Sequence, residues 1–183
     1  MIYEYIPNKD PRRVTGLLVI LIAAAVGFFL FPSMFPALPL SWVFQMSGAL
    51  CLVAAIFIYT RYMGKTYIYR IIENDEGGLD LTVTEVTNGG RSRITVCRFD
   101  LADVEDVYAI TETVEDQKRA KADMESRAKR ERRKRFDYCA EMLATDALYV
   151  FATVSGEKLC VKLSPDGRLF TYFAEAIDKR GGQ

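Results

Sequence analysis

Histidine is absent from this chain of 183 residues. Its absence removes the usual general base near neutral pH and the commonest metal ligand. Cysteine is scarce: Cys51, Cys97, Cys139 and Cys160 stand far apart, without the C-x-x-C spacing of zinc or redox sites. Cys51 falls inside an apolar run and the other three on expected strands facing a reducing compartment, so buried free thiols are expected. The G-x-S-x-G, H-E-x-x-H and phosphate-loop patterns are missing too. Asp100, Asp103, Glu105 and Asp106 cluster, but at the spacing of a solvated turn rather than a cation loop. Cys139 beside Asp137 has no accompanying base. These absences weigh against an enzyme, and no cofactor, metal or small-molecule substrate is expected.

Charge is missing from residues 14–60, a run of 47 broken only by Pro32, Pro36 and Pro39. As α-helix, residues 14–31 rise about 27 Å and residues 40–60 about 31 Å, against a hydrocarbon core of roughly 30 Å. Lipid offers no partner to backbone N–H and C=O groups, so the spanning segments must be helical. Of the first 18, 12 are Val, Leu, Ile or Phe. At roughly −0.3 to −0.6 kcal/mol each, insertion is favourable by a few kcal/mol. The prediction is a cytoplasmic segment (1–13), a transmembrane helix (14–31), an outward loop (32–40) and a second helix (41–62). Gly16, Gly27, Gly48, Ala49, Ala54 and Ala55 allow close helix approach, with Ser47 offering a hydrogen bond. A cleaved signal peptide is rejected, because the apolar run is too long and no A-x-A site follows. A hairpin buried in a soluble core is the competing reading.

Lys9, Arg12 and Arg13 precede the first helix, and Arg61 and Lys65 follow the second, while residues 32–39 carry no cation. Both termini are therefore expected in the cytoplasm, with the chain integral to the plasma membrane. Trp42, Tyr59 and Tyr62 stand near helix ends, where aromatic rings favour the headgroup layer.

The formal net charge is zero, yet strongly segregated. Residues 1–65 carry 5 basic and 2 acidic side chains, residues 66–116 carry 4 and 12, residues 117–135 carry 10 and 3, and residues 136–183 carry 5 and 7. Residues 65–183 suffice for one modest cytoplasmic domain. Residues 67–72 are rich in strand formers, and Leu79, Leu81 and Val83 alternate with polar residues. Asp75-Glu76-Gly77-Gly78, Asn88-Gly89-Gly90, Thr145-Asp146 and Ser155-Gly156 supply turns. Further strands are expected from Ile94 onward and at 104–110, 138–143, 148–154 and 158–163, seven in all. A final helix follows, with Ser164 as N-cap, Pro165 at its first position and Asp166 at the positive end of its dipole. Leu169, Phe170, Tyr172, Phe173, Ala176 and Ile177 form its apolar stripe. Lys179, Arg180, Gly181 and Gly182 mark its end.

The strand order, the Tyr67-Ile68-Tyr69-Arg70-Ile71 exit from the hairpin, the Phe99-Asp100-Leu101-Ala102-Asp103-Val104 turn and Leu163-Ser164-Pro165-Asp166 together carry a resemblance. The chain resembles bacterial membrane proteins with a pleckstrin-homology-like (PH-like) domain behind a transmembrane hairpin. The resemblance implies a seven-stranded barrel capped by a C-terminal helix, with an interaction or scaffold role. It departs at one place, the long charged connection between the fourth and fifth strands.

That connection, residues 111–135, has no Gly or Pro and is expected to be one solvated helical arm about 37 Å long. Acid-before-base pairs Glu115–Arg119, Asp123–Arg127, Glu125–Lys129 and Glu131–Arg135 would support it. Val114, Ala120, Ala122, Met124 and Ala128 are too few for a coiled-coil seam. Lys129, Arg130, Arg132, Arg133, Lys134 and Arg135 place six cations in seven residues and are the candidate contacts for anionic lipid headgroups or a partner. The expected partners are the bilayer, anionic headgroups and an unidentified protein, with nucleic acid disfavoured. The leading expectation is a membrane-anchored, non-enzymatic interaction or scaffold module. Its alternative is a small subunit of a larger transport or signalling complex, whose hairpin packs against other transmembrane helices.

Overall fold

The computed structural model describes residues 2–9, 11–34, 41–111, 117–141 and 146–181. Pro36, Pro39, Glu112, Val114, Glu115, Asp116, Thr145, Gly182 and residues 142–143 lie outside those residues. The chain divides into two compact units, Lys9–Lys65 and a second made of Met1–Asn8 with Thr66–Gln183.

The first unit is the hairpin. Helix α1 (Pro11–Met34) opens on a proline at its first position, where the missing N–H costs nothing. It runs three residues past the expected end, carrying Pro32 inside its last turn. Helix α2 (Ser41–Ile58) continues through a π-helical turn, Tyr59–Met63, closed by Gly64 N–H donating to the Tyr59 carbonyl at 2.9 Å. Small residues fill the seam: Ala25, Gly48 and Ala55 are buried. A Cβ on Gly48 would lie 3.0 Å from the Phe29 ring and 3.2 Å from the Ala25 carbonyl, so glycine sets the helix approach there. Gly16 and Gly27 face open space and Ala49 is exposed, so those expected contacts are not part of the seam. Ser47 donates at 2.9 Å to the Val43 carbonyl of its own helix rather than across the pair.

Val19, Ile20, Leu50, Val53, Ile56 and Phe57 are exposed on the outer faces. Pro11–Pro32 and Ser41–Met63 reach mean hydropathies of 2.7 and 1.9, with only 11% of each apolar stretch buried. They are two candidate membrane-spanning helices, with an apolar exterior that lipid would satisfy.

The second unit is α+β. Strands β1 (Tyr3–Tyr5), β2 (Lys65–Glu73), β3 (Leu79–Thr87) and β4 (Ser92–Asp100) form one sheet in that order. Strands β5 (Val104–Ile110), β6 (Lys134–Asp137), β7 (Ala147–Val154) and β8 (Glu157–Leu163) form another in the order β5-β7-β8-β6. Helices α3 (Gln117–Arg130) and α4 (Gly167–Gly181) complete it. The described residues thus give eight strands in two four-stranded sheets, where seven in one barrel were expected.

Alternation places Tyr69, Ile71, Leu81, Val83, Val150 and Val161 in a shared core. The α4 stripe contributes Leu169 and Phe173, each 0% exposed. At the β2–β3 turn, Asn74 Oδ1 accepts from the N–H groups of Glu76 (3.1 Å) and Gly78 (2.6 Å), and Gly77 takes the left-handed φ of 79°. The expected N-cap is corrected by two residues. Asp166, not Ser164, caps α4 by accepting from Leu169 N–H at 3.0 Å. Ser164 is held in a buried network instead: its hydroxyl accepts from Ala140 N–H, its own N–H donates to the Tyr69 hydroxyl, and that hydroxyl donates to the Tyr138 carbonyl.

Candidate functional site: the docked charged arm

The arm is not one solvated helix. Helix α3 spans 14 residues and ends at Arg130. Arg133 N–H then donates to the Ala128 carbonyl at 2.9 Å and Arg132 N–H to that of Lys129 at 3.1 Å, while Arg132 adopts φ 53°. This is a Schellman stop, with arginine at the left-handed position that glycine ordinarily takes. The chain re-enters the sheet at once as β6, parallel to β8 with Arg135 against Cys160. The strand expected at 138–143 is therefore found four residues earlier, at 134–137.

Helix α3 lies on the face of the second sheet turned away from the main core. Ala128 is fully buried there among Ile110, Ala147, Tyr149, Phe151 and Cys160, and Ala120 and Met124 pack alongside. Ala120, Met124 and Ala128 follow one another at four-residue spacing, a narrow seam that docks on a sheet even though it is too thin for a coiled coil.

Two arginines clamp this seam. Arg127 donates to Asp106 (2.9 Å), the Tyr108 hydroxyl (2.8 Å) and Glu131 (2.8 Å). Its guanidinium stands 4.6 Å from the centre of the Phe151 ring. Arg133, whose side chain is 3% exposed, donates to Glu105 and Glu131, each at 2.5 Å, and stands 5.2 Å from the same ring. The expected pairs Asp123–Arg127 and Glu131–Arg135 give way to these contacts. Glu105 is the extra residue of a bulge between β5 and β7, which turns it toward Arg133.

The electrostatics follow the contacts. Hydrogen bonds from Thr153 and Arg133 hold the Glu105 carboxyl below its usual range. Arg127 and then Arg133 do the same for Glu131. Burial opposes the Arg133 charge, but the two glutamates outweigh it and its pKa is raised. The Tyr108 hydroxyl is raised by its hydrogen bond to Asp106 and by burial.

The six candidate cations are thus divided. Lys129, Arg130, Arg132 and Arg135 are exposed, and Lys134 is exposed while paired to both Glu157 oxygens at 2.7 Å. Arg133 is buried under the arm and cannot reach a surface ligand. The clamp members Arg127, Glu105, Asp106, Tyr108 and Phe151 were not predicted as a group. Glu105 and Asp106 stood out in the sequence as part of an acidic cluster, which serves here to receive arginine, and Arg127 stood out as the helical partner of Asp123.

Burial pushes the Cys97 thiol up to about 11, and burial is likewise the main cause that raises Cys160 to about 11. Cys139 is buried, with its backbone N–H donating to Asp137. Among the described residues no group of three or more His, Cys, Asp or Glu side chains is placed to hold a metal ion. A cleft of about 510 Å³ opens between the β2–β3 turn and α4, lined by Leu79, Asp100, Tyr172, Glu175 and Lys179. No family model, curated protein or solved structure matches the chain.

Proposed function

We propose that the protein is a membrane-anchored, non-enzymatic scaffold, a PH-like module held at the cytoplasmic face of the plasma membrane by its hairpin and oriented there by anionic lipid. The observation that carries this reading is the pairing of β1 with β2, Tyr3 with Ile71 and Tyr5 with Tyr69. Residues on either side of the hairpin belong to one sheet, so a hairpin that crosses a bilayer returns the chain to the side it left. The cations Lys9, Arg12, Arg13, Arg61 and Lys65 at the hairpin base favour the cytoplasm for that side.

The exposed cations Lys129, Arg130, Arg132 and Arg135 are the lipid contacts in this reading. Each is worth up to about 1 kcal/mol near an anionic leaflet, so half engagement of four gives about 2 kcal/mol. That energy orients a domain already tethered and would not recruit a free one. The test is the full chain in nanodiscs of neutral or phosphatidylserine-rich lipid, followed by hydrogen exchange over residues 129–135. Slower exchange in anionic discs, lost in high salt and in the Lys129, Arg130, Arg132, Arg135→Gln variant, is the expected result. Identical exchange in both discs would remove the lipid role.

A further inference from the structure

Among the described residues four strands end the two sheets: β1 and β4 in one, β5 and β6 in the other. Unpaired edges invite another chain, and proteins blunt them by shortness or by covering them. Strand β1 has three residues and β6 has four, while α3 and α4 pack against β5. Strand β4 is different. It runs nine residues and, among the strands of the described residues, pairs with β3 alone, with Arg93, Ile94 and Thr95 exposed.

A bulge divides this edge. Val83 pairs with Cys97 and Thr84 with Thr95, leaving Val96 as the extra residue. The Val96 carbonyl already accepts the Tyr138 hydroxyl at 3.1 Å, and Arg98 beyond it is drawn to Asp80 at 2.7 Å. The usable half is therefore residues 92–95. Within it Arg93 lies on one face opposite Val86, and Ile94, 60% exposed, lies on the other. Arg91, also exposed, stands just before the strand.

We propose that residues 92–95 of β4 accept an extended acidic segment of a partner protein as an added strand. Backbone pairing supplies the affinity in this mode, and alternating side chains supply the selectivity. A segment alternating acidic and apolar residues sets a carboxylate beside Arg93 on one face and an apolar side chain beside Ile94 on the other. The same arginines disfavour a second copy of this chain, because an antiparallel pair of β4 strands would set Arg91 and Arg93 against their own kind. The proposal rests on the scaffold reading and gives its partner a chemistry.

The experiment uses the full chain in neutral-lipid nanodiscs and a fluorescent, end-capped eight-residue peptide alternating glutamate and valine, with a lysine–valine peptide as control. Saturable binding of the acidic peptide, slowed amide exchange confined to β3–β4, and at least tenfold weaker binding by Arg93→Glu are expected. Ile94→Asp is expected to weaken it as well, while Lys129→Gln/Arg130→Gln leaves it unchanged. Hydrogen exchange in the remainder of the sheet unit checks that each variant is folded. No binding, equal binding of both peptides, or indifference to Arg93→Glu overturns the proposal. So does protection of residues 92–95 without peptide in a particle of doubled protein mass, which identifies a second copy as the occupant. Loss of peptide binding with the anionic-lipid response intact removes the β4 site alone, whereas loss of the lipid response with peptide binding intact removes the lipid reading alone.

Discussion

Arg132 occupies a backbone position with φ 53°, where an L-residue with a side chain is strained and glycine is not. Arg132→Gly is therefore expected to raise stability by about 0.5–1 kcal/mol, read as a higher melting temperature of the solubilised chain. It also deletes one exposed cation, so it should weaken any response to anionic lipid while the fold is strengthened. Its neighbour behaves oppositely. Arg133→Gln leaves Glu105 and Glu131 without their shared partner and opens space beside Phe151. Breaking a fully buried pair costs roughly 3–5 kcal/mol. With both glutamates about a third exposed, solvent screening reduces the expectation to about 1–2 kcal/mol. In sequence the two arginines are indistinguishable members of one basic run. What separates them is the carboxylate of Glu105, 28 residues away in the chain and turned by a bulge that no local pattern announces.

The apolar and turn-forming parts of the elements were legible. Alternation of apolar with polar residues marks β3, Asp75 to Gly78 and Ser155-Gly156 make turns, and the α4 stripe buries Leu169 and Phe173 as its spacing requires. Phe173→Ala should cost about 3–5 kcal/mol, measured by denaturant unfolding, because the ring has no exposed surface to give up. Strands β1 and β6 were not legible. Tyr-Glu-Tyr and Lys-Arg-Phe-Asp are too short to show a period, and only their hydrogen-bonded neighbours make them strands. Helix α3 was legible as a helix but not as a docked one, since four apolar residues among 14, three of them on one face, look solvated until a matching sheet face exists. Its docking should depend on pH in a definite direction. Glu105 and Glu131 have depressed pKa values, so their contribution is complete above the ordinary glutamate value of about 4.3 and is lost as pH falls through the lower folded-state values. Hydrogen exchange across α3, corrected for intrinsic rates, should accelerate in that acidic window before the core strands respond. The Glu105→Gln/Glu131→Gln variant should show faster exchange already at pH 7 and little further change on acidification.

At the scale of the whole molecule, the order of the chain and the order of folding units differ. The sheet unit is interrupted by the hairpin, and residues 2–8 are a separated part of the same fold as residues 66–181. A fragment beginning at Lys65 therefore lacks an edge strand. It loses the Tyr5 ring from beside Tyr69, at 6.0 Å, the Tyr3 ring from beside Tyr172, at 5.7 Å, and the hydrogen bond from the Tyr3 hydroxyl to Asp166 at the α4 N-cap. Both tyrosines are half-buried. At about half of the roughly 1.5–3 kcal/mol for fully burying a large apolar side chain, the loss of both should cost about 1.5–3 kcal/mol. The register suggests how to restore it. Tyr5 pairs with Tyr69 in antiparallel sense, which carries residue 9 toward residue 65, and Lys9 Nζ donates to the Lys65 carbonyl. A short Gly-rich turn in place of residues 9–65 should close β1 and β2 into an ordinary hairpin. That shortened chain is expected to be soluble and to unfold cooperatively at higher denaturant than the fragment 65–183. Equal midpoints for the two would mean that β1 contributes nothing to the sheet unit. The same-side argument for the hairpin would then lose its structural support, because a strand that adds no stability gives the N-terminus no reason to stay with the domain.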